Sequence, residues 1–186
     1  VLANIQAFGK AFSINADDVG VTWLPLYHDM GLIGTWLGAL YHGIPVVVMS
    51  PLTFLSRPVR WLQAFSSHRG TLTAAPNFAY DLCVRKIADD EIGQLDLSSW
   101  RCALNGAEAV VYSTIERFSE RFSQHGFRRE AMKPVYGLAE SSLCVTAPRP
   151  GREPRVDRIA RGPFERGRRI EPAVSSDPNP LMFVGC

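Results

Sequence analysis

Short apolar runs alternate with longer amphipathic stretches along most of the chain. The runs lie at 21–24, 45–49, 71–75, 102–104 and 134–136, and they start 24, 26, 31 and 32 residues apart. This spacing is typical of a strand followed by a crossover helix. The runs are almost wholly apolar, as in strands that helices cover on both faces. The pattern therefore predicts an α/β fold in which a mostly parallel sheet lies between two helical layers.

The amphipathic stretches between the runs predict four helices, at 30–42, 59–68, 78–87 and between Ser113 and Gly126. Two of these helices carry signals for their first residues. Ser56 and Pro58 predict an N-cap and a first-turn proline for the second helix. Ser113 and Glu116 have the spacing of a capping box, in which the two side chains accept each other's backbone N–H groups.

The composition of the chain changes after residue 146. Between residues 149 and 169 there are eight arginines and three acidic residues, and prolines and glycines recur throughout the segment. Because prolines and glycines disfavour helix, we expect a solvated, irregular insertion at 147–180. A last apolar run, at 181–184, predicts a strand. The expected organisation is a domain core at 1–146, the Pro/Arg-rich insertion, and the start of a further strand at 181–186. Both termini look like cuts through a domain.

Composition and charge exclude some classes of function. The chain has 46% hydrophobic and 20% charged residues and a net charge of +2, which is ordinary for a soluble globular protein. Phe164 is the one aromatic residue in the arginine-rich segment, so we expect no nucleic-acid partner. The apolar stretch 30–49 is interrupted by His42 and Pro45, which favours a helix and a buried strand over a membrane span. The four cysteines have neither metal-ligand nor disulfide-framework spacing, which favours reduced thiols in a cytoplasmic protein.

Polar and glycine-rich segments follow four of the predicted strands. They contain His28 and Asp29 after the first strand, Asn77 and Phe78 after the third, 105–108 after the fourth and 137–142 after the fifth. The carboxyl ends of parallel strands share one edge of the sheet, and ligands bind outside that edge. The four segments therefore predict the wall of a single site.

Four of these residues also have purely structural interpretations, which stay open at this stage. His28 could stabilise its own loop, and Asn77 could cap the helix that follows it. Gly106 and Gly137 could be turn glycines with positive φ.

The acidic residues at the same edge have a structural alternative too. Glu108 and Glu140 could be first-turn acids, which a helix dipole favours. Common catalytic motifs are absent from the sequence: it has no G-x-S-x-G nucleophile elbow, H-E-x-x-H motif, G-x-G-x-x-G fingerprint or Walker lysine loop.

Three ordered motifs resemble those of the adenylate-forming (acyl-CoA synthetase-like) superfamily. Tyr136-Gly137-Leu138-Ala139-Glu140 resembles its Tyr-Gly-x-Thr-Glu motif, with alanine in place of the threonine. Asn105-Gly106-Ala107-Glu108 resembles its adenine-binding loop, and 23–34 is similar to the segment that closes the acyl side of its pocket. The His-Asp-Met-Gly-Leu-Ile string at 28–33, the Tyr-Gly-Leu-Ala-Glu variant and the insertion resemble the fatty acyl-AMP ligase branch.

The resemblance implies a role for each motif. The chain would be the central part of the large N-terminal domain of such an enzyme. Glu140 would hold Mg²⁺ and act in catalysis together with His28. His28, Asn77 and Phe78 would line the acyl pocket. ATP would be bound by Asn105, Gly106, Ala107, Glu108, Tyr136, Gly137, Leu138 and Ala139.

The implied reaction is the ATP-dependent activation of a fatty acid to acyl-AMP, followed by transfer to an acyl carrier protein or polyketide synthase. The family's phosphate loop would precede Val1, and its ribose-binding aspartate, hinge and catalytic lysine would follow Cys186. We therefore expect the chain alone to be inactive. Two alternatives stay open: a long-chain acyl-CoA ligase, which should lack the long insertion, and a non-catalytic remnant that binds nucleotide or a partner without turnover.

Overall fold

A computed structural model of the chain describes residues 1–148 and 151–186. Arg149 and Pro150, which belong to the predicted insertion, lie outside the described residues. A parallel five-stranded sheet with the strand order β2-β1-β3-β4-β5 forms the centre of the fold. Its strands are β1 (Gly20–Thr22), β2 (Val46–Val48), β3 (Leu72–Pro76), β4 (Cys102–Gly106) and β5 (Met132–Pro134). The predicted α/β fold with a parallel sheet is confirmed.

Helices pack on both faces of this sheet, and the last helix of the chain lies in the insertion. They are α1 (Leu2–Ala11), a π-helix (Met30–Leu37) that continues as α2 (Gly38–His42), α3 (Pro51–Ser56), α4 (Val59–His68), α5 (Asn77–Lys86), α6 (Asp89–Ile92), α7 (Tyr112–Ser123) and α8 (Arg161–Gly167). Short 3₁₀ turns lie at Arg129–Ala131 and Ala139–Ser141. Among residues 1–148 and 151–186, no helix is both long enough and apolar enough to cross a membrane.

The side chains of β4 show how the two faces of the sheet differ. Ala103 belongs to the larger core, an aromatic cluster in which Trp61 and Trp100 are fully buried. The ring of Trp100 stacks on Phe65 with a centroid distance of 3.8 Å. Cys102 lies on the opposite face and packs with the buried side of α1. Since successive strand residues point to opposite faces, one strand contributes to both cores.

The predicted helices are confirmed, but two of their predicted starts are wrong. Pro58 is the N-cap residue of α4, because Ser56 is the last residue of the separate helix α3. α7 begins one residue before Ser113, and the side chain of its own N-cap residue, Val111, makes no capping hydrogen bond. Glu116 has no capping box to complete and pairs with Arg129 instead. The start of α7 is held by a side chain of α5.

The fifth apolar run does not form a single strand. β5 ends at Pro134, and Tyr136 begins an antiparallel pair of short strands, β6 (Tyr136–Gly137) and β7 (Cys144–Thr146). The predicted run at 134–136 thus spans the end of one sheet and the start of another. This break places Tyr136 just beyond the carboxyl end of β5.

The insertion is more regular than its composition predicts. β8 (Val156–Ile159) pairs with β9 (Leu181–Val184) in an antiparallel ladder, and α8 lies between the two strands in sequence. The prediction of an irregular segment is wrong here, because Pro163 occupies the first turn of α8, where its missing N–H is not needed. The predicted strand at 181–184 is confirmed, but it pairs with the insertion and not with the parallel sheet.

Candidate active site

Two glycines at the edge of the sheet allow close backbone approach. Gly106 ends β4, and a Cβ atom there would lie 2.7 Å from the carbonyl oxygen of Val135. A Cβ atom on Gly137 would collide with the carbonyl group of Leu143. Neither glycine has positive φ, so their interpretation as left-handed turn residues is wrong. They bring the ends of β4, β5 and β6 and the start of β7 together at one rim.

A buried amide network ties the loop after β4 to the start of α5. Asn77 is 7% exposed, and its Oδ1 accepts hydrogen bonds from the Val111 N–H at 3.1 Å and from Nδ2 of Asn105 at 3.3 Å. Its Nδ2 donates to Oγ1 of Thr114 at 3.4 Å. Asn77 therefore connects β4, α5 and α7. It does not cap its own helix, whose N-cap residue is Pro76.

A second hydrogen bond clamps the same loop. Oε1 of Glu108 accepts the N–H of Phe78 at 2.6 Å. That N–H is one of the free donors in the first turn of α5, so Glu108 caps α5 from the neighbouring loop and is not a first-turn acid of α7. Ala107, next to it, has a φ of 66°, a conformation that side chains with a Cβ atom disfavour. The loop 106–111 is thus fixed at both ends.

Tyr136 and Glu140 lie on a hydrogen-bonded turn at the same rim. The N–H of Leu138 donates to the carbonyl of Leu143 at 2.9 Å, closing the turn. The Tyr136 side chain is 53% exposed, and Glu140 is exposed as well. An exposed carboxylate fits Mg²⁺, which usually takes one or two protein carboxylates and completes its shell with water and substrate phosphates. Within the described ranges, no group of three or more His, Cys, Asp or Glu side chains is arranged to hold a metal.

His28 lies just before the π-helix, beside Asp29. Its Nδ1 is 2.8 Å from Oδ1 of Asp29, and the same oxygen accepts the N–H of Met30 at 2.7 Å. The N–H of Met30 is also 3.1 Å from Nδ1 of His28. Because a carboxylate oxygen only accepts, the shorter contact with Asp29 requires a proton on Nδ1, and we assign the N–H of Met30 to Asp29 alone. This contact orients the imidazole and leaves Nε2 available to a ligand.

An apolar cavity of about 300 Å³ lies between α1, the π-helix and one face of the sheet. Its lining is mostly apolar and includes Phe8, Phe12, Met30, Leu72, Leu104 and Leu143. Burial raises the pKa of the lining residue Cys102 to about 12, although the nearby Arg101 guanidinium acts in the opposite direction. That thiol is therefore neutral near pH 7, as suits a wall that contacts an apolar group.

A second cavity, of about 840 Å³, lies between the loop after β4 and the β8–β9 ladder. Glu108 and Tyr112 line it on the side of the loop, and Arg161 and Met182 line it on the side of the insertion. Both cavities are lined by Ala107, Val135, Tyr136 and Gly137. The two cavities therefore border the same rim, which Gly106 and Gly137 hold together.

Some of the predicted site residues line the two cavities, and others do not. The apolar cavity is lined by His28, Ala107, Tyr136, Gly137 and Leu138, and the larger one by Ala107, Glu108, Tyr136 and Gly137. The described lining residues do not include Asn77, Phe78, Asn105, Gly106, Ala139 and Glu140. Asn105 is fully buried, and the ring of Phe78 packs edge-on against Trp23 at 5.9 Å.

A family model for AMP-binding enzymes matches residues 1–164. The chain belongs to the AMP-binding enzyme family. It is 42% identical over 175 residues to the medium-chain-fatty-acid–acyl-carrier-protein ligase JamA of Moorena producens, with 94% of this chain and 30% of the relative covered. It is 43% identical over 164 residues to the long-chain-fatty-acid–AMP ligase FadD26 of Mycobacterium marinum, with 86% and 28% covered.

A solved structure of a similar protein shares the fold of this chain. The crystal structure of fatty acyl-adenylate ligase from Legionella pneumophila in complex with acyl adenylate and pyrophosphate matches with a TM-score of 0.92 at 41% identity. The match covers 98% of this chain and 32% of that one. The chain thus spans about 30% of the length of the curated relatives it matches.

Sequence reasoning missed the deeper lining of the apolar cavity. Phe8, Phe12 and Ile14 come from α1 and the loop after it. The apolar face of the first helix was the signal that could have indicated them. For Arg161, in the insertion, no local pattern was available, because its position depends on the pairing of β8 with β9.

Proposed function

We propose that the full-length protein activates a fatty acid with ATP. A carboxylate oxygen of the acid would attack the α-phosphorus atom, the bond from that phosphorus to the bridging oxygen would break, and acyl-AMP and pyrophosphate would form. The observation that carries this proposal is that both cavities border Ala107, Val135, Tyr136 and Gly137. An apolar chain in one cavity and a nucleotide in the other would present their reacting groups to each other there.

The larger cavity suits the nucleotide. The half-exposed ring of Tyr136 offers a face on which adenine can stack. The loop 106–111, fixed by Asn77 and Glu108, presents backbone groups that can bond the edge of the base. We propose that 105–108 and 136–139 form the nucleotide site, with Asn105 and Gly106 acting through the shape of the loop.

We propose roles for Glu140, which lies on the turn after Tyr136, and for His28, which lines the apolar cavity. When bound at Glu140, Mg²⁺ would supply positive charge that screens the phosphates from the incoming carboxylate. His28, oriented by Asp29, would contact the carboxylate of the acid through Nε2. Phe78 would support the acyl side from behind, through its contact with Trp23.

The acceptor of the acyl group is proposed from the relatives. JamA is named as a ligase to acyl carrier protein and FadD26 as a fatty-acid–AMP ligase, and we propose transfer to an acyl carrier protein or a polyketide synthase. We also propose a cytoplasmic location, where ATP is available. The insertion would disfavour transfer to coenzyme A, the acceptor of an acyl-CoA ligase.

The test uses the full-length protein in an exchange assay between ATP and radiolabelled pyrophosphate, with and without a fatty acid. We expect exchange that depends on the acid, and acyl-AMP detectable by mass spectrometry. A second reaction offers acyl carrier protein and coenzyme A as competing acceptors. Absence of acid-dependent exchange would rule out the proposal, and efficient acyl-CoA formation would replace the acceptor with coenzyme A.

A further inference from the structure

We infer from the apolar cavity that the acid is of medium chain length, about ten to twelve carbons, and that Phe12 and Ile14 form the floor that ends the acyl site. This inference rests on the proposed function, because it assigns the cavity to the acyl chain. The names of the relatives differ on chain length, medium for JamA and long for FadD26. Family membership alone therefore does not fix this property.

The lining of the cavity extends along the strands from their carboxyl ends to their amino ends. We assign the mouth to the carboxyl ends, because ligands bind at that edge of an open parallel sheet. Ala107 lines the mouth, directly after β4, and Cys102, the first residue of β4, lines the deep end. Leu72, the first residue of β3, lines the deep end as well. From Cys102 to Ala107 the strand path advances roughly 16 Å, at about 3.3 Å per residue.

The floor is held in place by Arg101. Its guanidinium donates to the carbonyl oxygens of Phe12 at 2.8 Å and Ser13 at 3.0 Å. The same group is paired with the carboxylate of Asp18, which is 2% exposed. Phe12 is 7% exposed and belongs to the smaller core. A segment that is bonded at two consecutive carbonyls and packed in a core does not yield easily to a longer chain.

Volume and depth lead to the same chain length. A methylene group fills roughly the space of one water molecule in the liquid, about 30 Å³. The cavity of about 300 Å³ therefore accepts on the order of ten methylene groups. An extended chain advances roughly 1.3 Å per carbon, because its bonds of about 1.5 Å zigzag, so the depth corresponds to about twelve carbons. A saturated acid of sixteen carbons would have to displace the floor.

The first test is a chain-length series on the full-length protein, with saturated acids from six to sixteen carbons in the pyrophosphate exchange assay. Each methylene group that enters the cavity should raise kcat/KM by about fourfold. We expect this rise to stop at ten to twelve carbons, with at least a tenfold fall at sixteen. A rise that continues to sixteen carbons would overturn the inference while leaving the proposed function standing. If none of the acids supports pyrophosphate exchange, both the inference and the proposed function are wrong.

Two variants test the floor itself. Phe12→Ala removes a ring and makes room for about three more carbons, so the optimum should move to longer acids. Cys102→Leu fills the deep end without removing core contacts, so the optimum should move to acids about two carbons shorter. The matched control is Phe127→Ala, which removes a ring that is 3% exposed in the larger core. It should lower stability and leave the optimum unchanged.

These variants distinguish a specific effect on the preferred acid length from a general loss of stability. If Phe12→Ala does not fold, Cys102→Leu and the chain-length series of the unchanged protein still decide the question. The inference would be overturned if the preferred acid length did not change in Cys102→Leu, or if it changed equally in Phe127→Ala. Either result would show that Phe12 and Ile14 do not limit the length of the acyl chain.

Discussion

Single residues hold the rim of the sheet through backbone contacts more than through charge. Gly106 and Gly137 permit close approach. Ala107 adopts a left-handed conformation in the loop that hydrogen bonds of Asn77 and Glu108 hold in place. The resemblance implies that Asn77 lines the acyl pocket, but its side chain is buried in hydrogen bonds to three neighbours. We therefore expect Asn77 to act on the nucleotide loop as a positioning residue.

Asn77→Ala in the full-length protein should weaken ATP binding. The change leaves the part-buried N–H of Val111 and the buried amide of Asn105 without their acceptor, which costs about 1–3 kcal/mol of stability. A loosened loop should raise KM for ATP about tenfold and change KM for the acid little. Steady-state kinetics with each substrate varied in turn, together with urea unfolding, measure both effects.

The control for this prediction is Thr114→Val. It removes the longest bond of Asn77, at 3.4 Å, and keeps both bonds to its carbonyl oxygen. It should leave KM for ATP near its original value. If KM for the acid rises in Asn77→Ala while KM for ATP does not, Asn77 belongs to the acyl side after all.

Glu140→Gln tests the proposed metal ligand. The substitution keeps the shape of the side chain and removes the negative charge that attracts Mg²⁺. Removing one strong electrostatic group from such a site usually costs a factor of about 10²–10³ in kcat, and the Mg²⁺ concentration for half-maximal rate should rise. Glu120→Gln, which changes an exposed acid on α7, is the matched control. Equal Mg²⁺ titrations for both variants would make Glu140 a surface acid of the turn.

At the scale of elements, the sequence indicated the parallel sheet and its helices but not how chain segments far apart in sequence pair. The apolar runs located all five strands of the sheet to within a few residues, because burial on both faces leaves a continuous apolar signature. The β8–β9 ladder was not predictable, since its pairing joins Val156–Ile159 to Leu181–Val184 across a segment rich in arginine, proline and glycine. The cavities were not predictable either, because they depend on the packing of α1 and the insertion.

The helix α8 offers a clean test of the insertion. The N–H of Ala160 donates to the carbonyl of Glu171 at 2.8 Å, so after α8 the chain returns beside the end of β8. Replacing 162–168 with a short Gly-Ser linker should keep the β8–β9 pairing and Arg161, because loop length costs little entropy. We expect acyl-AMP formation to stay within about threefold and acyl-CoA formation to rise. An unchanged ratio of the two products would mean that α8 has no part in acceptor choice.

At the scale of the whole molecule, two cores of different character lie on the two faces of one sheet. The larger core is filled by interlocking aromatic rings, such as Trp61, Phe65 and Trp100, which bury well and leave little space. The smaller core, around Ile5 and Phe8, borders the apolar cavity. The closely packed face can hold the strands still, while the other face keeps space for a ligand along the same strands.

The last prediction concerns the polypeptide of residues 1–186 on its own. Attack of a carboxylate on a triphosphate brings negative charges together, and positive groups must screen them. The described residues that line the two cavities include a single arginine, Arg161, and no lysine. We therefore expect this polypeptide to show no acid-dependent pyrophosphate exchange, even when circular dichroism shows that it is folded. Exchange well above the background of a Tyr136→Ala control would show that these two cavities suffice for adenylation.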